Sequence, residues 1–118
     1  MVKDSRLYFD ICVEEEYYDE LIEALQDKWI ENINNYIDIL RYHKPKELLK
    51  LYRDQILKDL RWTSDRKRYQ KIISNFSNFK RIPHGEEELI KIIKYIRENY
   101  KNRKALQEEL NFFEETYL

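Results

Sequence analysis

Residues 44–79 carry the clearest alternation of apolar and polar positions in the chain. Apolar side chains recur there at steps of three and four residues, a spacing typical of amphipathic helices. The first stripe consists of Leu49, Tyr52, Ile56 and Leu60. The second consists of Tyr69, Ile72, Ile73, Phe76 and Phe79. The pattern predicts two long helices that are joined by a tight turn at Thr63 and Ser64.

The same periodicity along the rest of the chain predicts seven helices in all. They cover about residues 4–13, 17–27, 29–42, 45–62, 65–82, 86–100 and 103–117. In the first helix, Leu7, Tyr8 and Ile11 lie on one side, and we expect that side to be apolar. Local signals support the boundaries: Pro45 suits a first helical turn, and Ser64 is a candidate cap. Gly85 falls in a turn where a positive φ could be required.

Short connections of two to five residues between these helices force neighbouring helices to lie antiparallel. Such helices can form a closed bundle or an open stack of hairpins, and seven helices in 118 residues favour the stack. Tyr18 and Tyr52 are 34 residues apart, and Ile22 and Ile56 follow at equal offsets. We therefore predict a single all-α domain over residues 1–118, a stack of helical hairpins like a degenerate tetratricopeptide array.

Composition agrees with helices that have apolar stripes and charged outer faces, because 42% of residues are hydrophobic and 38% are charged, with one Gly and two Pro. The sequence has no apolar run long enough for a membrane span, and residues 1–10 lack the apolar core of a signal peptide. The lone Cys12 can build no disulfide framework and is expected in the core. The default compartment is the cytoplasm.

Charge is spread unevenly along the chain although the net charge is only −1. Residues 1–38 contain three Lys or Arg and eleven Asp or Glu, residues 39–60 contain six and three, and residues 61–81 contain seven and one. The acidic first third could therefore pair with the basic middle inside the fold, or both could face partners. The candidate interaction surface in the basic segment consists of Arg61, Trp62, Arg66, Lys67, Arg68, Lys71 and Arg81.

No stretch carries a catalytic or cofactor-binding motif, so we predict neither catalysis nor a cofactor. His43 and His84 lie in turns without a Cys, Asp or Glu at ligand spacing, and we expect both to be solvent-exposed. Among the ten tyrosines, a first group is expected at helix seams, with the ring buried and the hydroxyl bonded: Tyr36, Tyr52, Tyr69, Tyr95 and Tyr100. A second, more peripheral group is a candidate contact surface: Tyr17, Tyr42 and Tyr117. Arg103 and Glu109 are expected to tie the last two helices together.

Three groups of residues resemble a known family. The first is a proline-started helix with Pro45, Leu48, Leu51, Tyr52 and Ile56, and the second is an Arg-Lys-x-Tyr helix with Arg66, Lys67, Tyr69 and Ile73. The third is a closing segment with Arg97, Tyr100, Arg103, Ala105, Leu106, Glu109 and Leu110. Together they resemble the C-terminal helical-repeat region of bacterial SWIM zinc-finger proteins. The resemblance implies that this chain is the C-terminal part of a longer protein and that the zinc module lies upstream.

Three functions remain open on the sequence. The first is a non-catalytic module that binds a protein or peptide along the basic fourth and fifth helices. The second is a nucleic-acid accessory domain in which residues 61–81 neutralise phosphates while Trp62 and Tyr69 stack on bases. The third is a purely structural piece of a larger fold, whose exposed terminal helix face would form a homodimer when the chain is isolated.

Overall fold

The computed structural model describes residues 5–117, and this part of the chain is all-α, as predicted, with no β-strand. The α-helices are α1 (Ser5–Glu14), α2 (Tyr18–Leu25), α3 (Ile30–Asn34), α4 (Ile37–His43), α5 (Pro45–Arg61), α6 (Arg66–Ser74), α7 (Gly85–Asn99) and α8 (Lys104–Tyr117). A 3₁₀ segment, Asn75–Arg81, follows α6 directly.

The 17-residue α5 lies at the centre of the fold. It packs against α2, α3, α4, α6 and α7, because Tyr52, Ile56 and Leu60 of its predicted stripe are buried together with Leu48 and Leu51, whereas Leu49 is half-buried. The second predicted stripe, from Tyr69 to Phe79, is buried throughout. Pro45 begins α5, where its missing N–H costs no helical hydrogen bond. The pair of stripes therefore forms the middle of one continuous core.

We take α3 with α4 as one unit, and α6 with the 3₁₀ segment as another. Each helix or unit then makes its extensive contacts with the next one in the chain or with the one after that. The described part measures 44 × 34 × 21 Å, with a radius of gyration of 15.0 Å. A compact chain of this length would have a radius of gyration of about 13.5 Å. A stack of helical hairpins would give contacts between helices close in the chain and a moderately elongated shape of this kind. The 34-residue repeat stays a prediction.

Two predicted helices are broken in the structure. The predicted third helix divides into α3 and α4, because the backbone N–H groups of Asn35 and Tyr36 bond three residues back, to Asn32 and Ile33. The predicted fifth helix changes to 3₁₀ geometry at Asn75, whose side-chain amide donates to the Lys71 carbonyl at 2.8 Å. Short polar side chains that bond to nearby backbone carbonyls compete in this way with the backbone hydrogen bonds of an α-helix.

The inward face of α1 is not the one that the sequence pattern predicted. Phe9 and Cys12 are buried, at 6% and 1% exposure, whereas Leu7, Tyr8 and Ile11 are 58%, 49% and 45% exposed. The core position of Cys12 is confirmed. The predicted start of this helix at residue 4 lies outside the described residues. The helix is apolar on both faces, so the pattern alone could not tell which face packs on α2.

Two predictions about turns are wrong. Ser64 does not cap α6, which begins at Arg66 after Asp65 and without a side-chain cap. Gly85 has no positive φ; His84 takes the left-handed conformation instead, at φ 62°. Glycine is needed at position 85 for another reason, because a Cβ there would lie 1.8 Å from the Phe79 carbonyl oxygen. The close approach of α7 to the 3₁₀ segment depends on this missing side chain.

Candidate interaction surface

Three of the seven predicted surface residues are held by carboxylates of other elements. Arg66 of α6 pairs with Glu108 and Glu109 of α8, at 3.1 and 3.2 Å. The second residue, Arg68, lies 2.8 Å from Glu31 and 3.4 Å from the buried Asp59. Arg81, in the 3₁₀ segment, lies 2.6 Å from Asp38. These arginines connect α6 and the 3₁₀ segment to their neighbours, which leaves less of their charge for a partner.

The other four predicted residues are exposed, and no carboxylate in the described part of the chain pairs with them: Arg61, Trp62, Lys67 and Lys71. Trp62 is 79% exposed, which is unusual for so large an apolar side chain. Lys67 and Lys71 are one helical turn apart on the outer face of α6, opposite the buried Tyr69, Ile72 and Ile73. Neither lysine forms an ion pair within residues 5–117, although the charge of Lys71 helps to lower the pKa of Glu31.

Two residues that sequence reasoning did not select join this group. Trp29 is 59% exposed, and the guanidinium of Arg68 lies 4.6 Å from the centre of its ring. A depression of about 650 Å³ is lined by Trp29, Arg68 and Lys71, among others. A second depression, of about 380 Å³, is lined by Arg61, Trp62 and Lys104 with the turn between α5 and α6. We define the α6 surface as Trp29, Arg61, Trp62, Lys67, Lys71 and Lys104.

Arg81 lies outside the α6 surface. It lines a different depression, of about 640 Å³, together with Arg41, Tyr42 and His84. His84 and His43 are both exposed, and the ring of His43 stacks on that of Tyr18 with centroids 4.3 Å apart. The residues from 5 to 117 contain no cluster of three His, Cys, Asp or Glu side chains that could hold a metal ion.

The turn beneath Trp62 is fixed by hydrogen bonds. The guanidinium of Arg103 donates to the carbonyls of Leu60, Arg61 and Thr63, at the C-terminal end of α5. Tyr69 donates its hydroxyl to the Thr63 carbonyl at 2.8 Å. Carbonyls at a helix end have no partner inside the helix, so these donors satisfy them and hold the turn in one conformation. The α6 surface therefore has a rigid floor.

The predicted tie between the last two helices is confirmed in part for Arg103 and wrong for Glu109. The guanidinium of Arg103, which directly precedes α8, lies 4.4 Å from the ring centre of Tyr100 at the end of α7 and also bonds to the end of α5. Glu109 instead pairs with Arg66 of α6. Arg97 of α7 makes the hydrogen bonds to α8. Its guanidinium donates to Gln107, Asn111 and Glu114 of α8, at 2.9, 2.7 and 2.8 Å.

The tyrosines follow the predicted division in part. Tyr52 and Tyr69 are buried with bonded hydroxyls, whereas Tyr36 and Tyr100 are half-buried and their hydroxyls have no hydrogen-bond partner within residues 5–117. Tyr95 was expected at a seam but is 40% exposed. The residues expected at the periphery are all exposed: Tyr17, Tyr42 and Tyr117. They do not line the depressions of the α6 surface.

Burial and ion pairing set the charge state of the carboxylates around Arg68. Burial of Glu31 favours its neutral form, but the hydrogen bond and charge of Arg68, a backbone hydrogen bond and the charge of Lys71 together outweigh this, so the pKa of Glu31 lies below its ordinary value. Burial raises the pKa of Asp59, and the hydrogen bond from Gln55 and the charge of Arg68 offset this only in part. Arg68 is therefore a structural cation between two acids, and its role is to hold α6 against α3 and α5.

Acidic residues of the first third of the chain account for several of the ion pairs. Asp19 lies 2.9 Å from Lys44, Asp27 pairs with Lys58, and the pairs of Glu31 and Asp38 are described above. The uneven charge along the sequence is thus partly cancelled within the fold. Glu14, Glu15 and Glu16 are exposed and take no part in such pairs.

Within the described residues, no helix is both long and apolar enough to cross a membrane. Comparison of the chain with protein-family models, curated proteins and solved structures finds no match. The resemblance to SWIM zinc-finger proteins accordingly stays a prediction. The exposed cations and indoles of the α6 surface are the features of this chain that a partner could recognise.

Proposed function

We propose that the chain is a non-catalytic helical module, acting in the cytoplasm, that binds an acidic segment of a partner protein on the α6 surface. The observation that carries the proposal is two exposed indoles that line separate depressions together with neighbouring cations, Trp29 with Lys71 and Trp62 with Arg61 and Lys104. None of these three cations forms an ion pair among residues 5–117. Tryptophan and arginine are enriched at the energetic centre of protein interfaces, and charged residues at the rim steer the partner.

The partner's chemistry follows from the arrangement of charge. Lys67 and Lys71 lie one turn apart, with Arg61 and Lys104 beside Trp62. A partner helix with acidic residues one turn apart, and an apolar residue on the same side, would satisfy both kinds of group. Binding of an amphipathic helix to such a surface is an established recognition mode. The rigid floor supports the proposal, because little ordering is needed when the partner docks.

Binding of an acidic helical peptide tests the proposal. The probe is a peptide of about 15 residues with Leu at three- and four-residue steps and Glu between them. Titration calorimetry should detect binding to the wild-type chain. The charge reversals K67E and K71E together should weaken binding at least tenfold, because they replace attraction by repulsion. Trp62→Ala should weaken it about fivefold or more.

Two controls make the result specific. The double substitution K91E/K94E makes the same charge change on the exposed side of α7, away from the depressions of the α6 surface, and should change the dissociation constant less than twofold. The same peptide with Lys in place of Glu should not bind. Equal loss of binding in K67E/K71E and K91E/K94E would show that only net charge matters and would contradict a defined docking site.

Nucleic acid is the second candidate, because the same indoles could stack on unpaired bases while lysines contact phosphates. The geometry favours it less, since Arg66, Arg68 and Arg81 are already paired with carboxylates. Four cations remain on the α6 surface: Arg61, Lys67, Lys71 and Lys104. Titration with a single-stranded oligonucleotide distinguishes the candidates. If four phosphates are contacted, the logarithm of the binding constant should fall against the logarithm of salt concentration with a slope of about −3.

A further inference from the structure

We propose that a second copy of this chain supplies the acidic helix, through head-to-tail docking of its α1 on the α6 surface. The inference rests on the proposed function and names the partner. It starts from α1, whose two faces are both apolar. Phe9 and Cys12 pack inward, while Leu7, Tyr8 and Ile11 are on average about half exposed. A helix that is apolar on opposite faces is typically covered on both.

The outer face of α1 has the chemistry that the α6 surface requires. Asp10 and Glu14 lie on the same helix as Leu7 and Ile11, and Glu15 follows directly. All three acidic residues are exposed. Neither Glu14 nor Glu15 forms an ion pair within the part of the chain that the structure describes. The result is a short amphipathic helix with a net negative charge and an apolar ridge.

The acidic and basic residues of the two surfaces also match in spacing. Asp10 and Glu14 are four residues apart on α1, and Lys67 and Lys71 are four residues apart on α6. In an α-helix this separation is about one turn, or about 6 Å along the axis. A side-by-side arrangement would place these carboxylates close to the lysines, with Leu7 and Ile11 toward the exposed indoles. Each α1 would then bury an apolar ridge that is about half exposed in the single chain.

Charge also decides between two possible dimers. If two α1 helices packed on each other about a twofold axis, the exposed Asp10, Glu14 and Glu15 of one copy would lie near the same carboxylates of the other. Head-to-tail docking instead brings acidic α1 to basic α6. The contact is heterologous: every copy keeps one open α1 and one open α6 surface. Assembly therefore continues beyond the dimer unless the geometry closes a ring.

Sedimentation velocity of the whole chain at rising concentration tests the proposal. At about 50 mM salt, the weight-average sedimentation coefficient should rise with concentration up to about 1 mM protein, the range of a weak contact. At about 500 mM salt the apparent dissociation constant should rise at least tenfold, because screening removes attraction between exposed charges. A chain that stays monomeric at low salt over this range would overturn the proposal.

A mixing experiment identifies the surfaces. One variant, L7S/I11S, removes the apolar ridge of α1 at exposed positions, and the other, K67E/K71E, disables the α6 surface. Each variant alone should be monomeric. An equimolar mixture should form one-to-one dimers and nothing larger, because only one working surface of each kind remains per pair. Assembly of K67E/K71E alone would indicate α1 packing on α1 and would overturn head-to-tail docking.

The outcomes also separate this inference from the proposed function. If the acidic peptide binds the α6 surface but the wild-type chain stays monomeric, the surface recognises another protein and the self-association is wrong. If neither peptide nor a second copy binds, both proposals fail. Circular dichroism of L7S/I11S and K67E/K71E should match the wild-type spectrum. If L7S/I11S proves unfolded, I11K, which changes one exposed side chain and reverses the local charge, takes its place.

Discussion

At the residue scale, positions 84 and 85 should respond in opposite ways to substitution. Gly85→Ala should lower the free energy of unfolding by about 3 kcal/mol or more, because the new Cβ would meet the Phe79 carbonyl at 1.8 Å and the backbone must shift. His84→Gly should raise it by about 1 kcal/mol, since glycine adopts a φ of 62° without strain. Urea unfolding of both variants checks this.

This pair of substitutions separates two explanations for the glycine. The turn chemistry visible in the sequence suggested that glycine supplies a left-handed conformation at position 85. The structure assigns that conformation to His84 and gives Gly85 a steric role. Had the first explanation been right, Gly85→Ala would cost only about 1 kcal/mol and His84→Gly would be neutral or unfavourable. That result would contradict the packing of α7 against the 3₁₀ segment.

At the element scale, the hydroxyl of Tyr52 joins α5 to α3 and to the 3₁₀ segment. It donates to Asn34 at 2.6 Å and accepts from Asn78 at 2.9 Å, and burial raises the pKa of this hydroxyl. Tyr52→Phe leaves both amides with fewer partners and should cost about 1–2 kcal/mol of stability. Hydrogen exchange should become faster in α3 and in the 3₁₀ segment. Tyr95→Phe, at an exposed ring, is the control and should change stability by less than about 0.5 kcal/mol.

The elements themselves were largely predictable from the sequence, because stripes such as Tyr69 to Phe79 set both the type of element and its buried face. The breaks in the predicted third and fifth helices could not be predicted in this way. Asn34, the last residue of α3, and Asn75, the first residue after α6, bond to each other at 2.7 Å although they are 41 residues apart, and no local pattern reports such a contact. The face of α1 was ambiguous for a similar reason, since Leu7 and Phe9 are equally apolar.

The α6 surface was predictable only in part. The basic segment could be read directly, but which of its cations are neutralised depends on carboxylates far along the chain, such as Glu31 for Arg68 and Asp38 for Arg81. Trp29 was not selected, because it stands four residues before Ile33 and so falls on the side of the apolar stripe in the predicted third helix. In the structure α3 begins only at Ile30, and Trp29 is an extended residue before it.

At the scale of the whole molecule, folding brings much of the acidic first third onto cations that follow it in the chain. Asp19, Asp27, Glu31 and Asp38 all pair with later Lys or Arg side chains. Two exposed groups of opposite charge remain, around α1 and on the α6 surface. The net charge of the chain is only −1, but its surface charge is unevenly distributed between α1 and the α6 surface. This uneven distribution of charge is the physical basis of both proposals.

The most direct test of this account is a nuclear magnetic resonance titration of the isotope-labelled chain with the acidic helical peptide, at protein concentrations where self-association is negligible. We expect the largest shift changes in the indole N–H signals of Trp29 and Trp62 and in the backbone amides of residues 61–71. Signals of α7 should stay in place. Shift changes centred on α7, or on the depression around Tyr42 and His84, would contradict the assignment of function to the α6 surface.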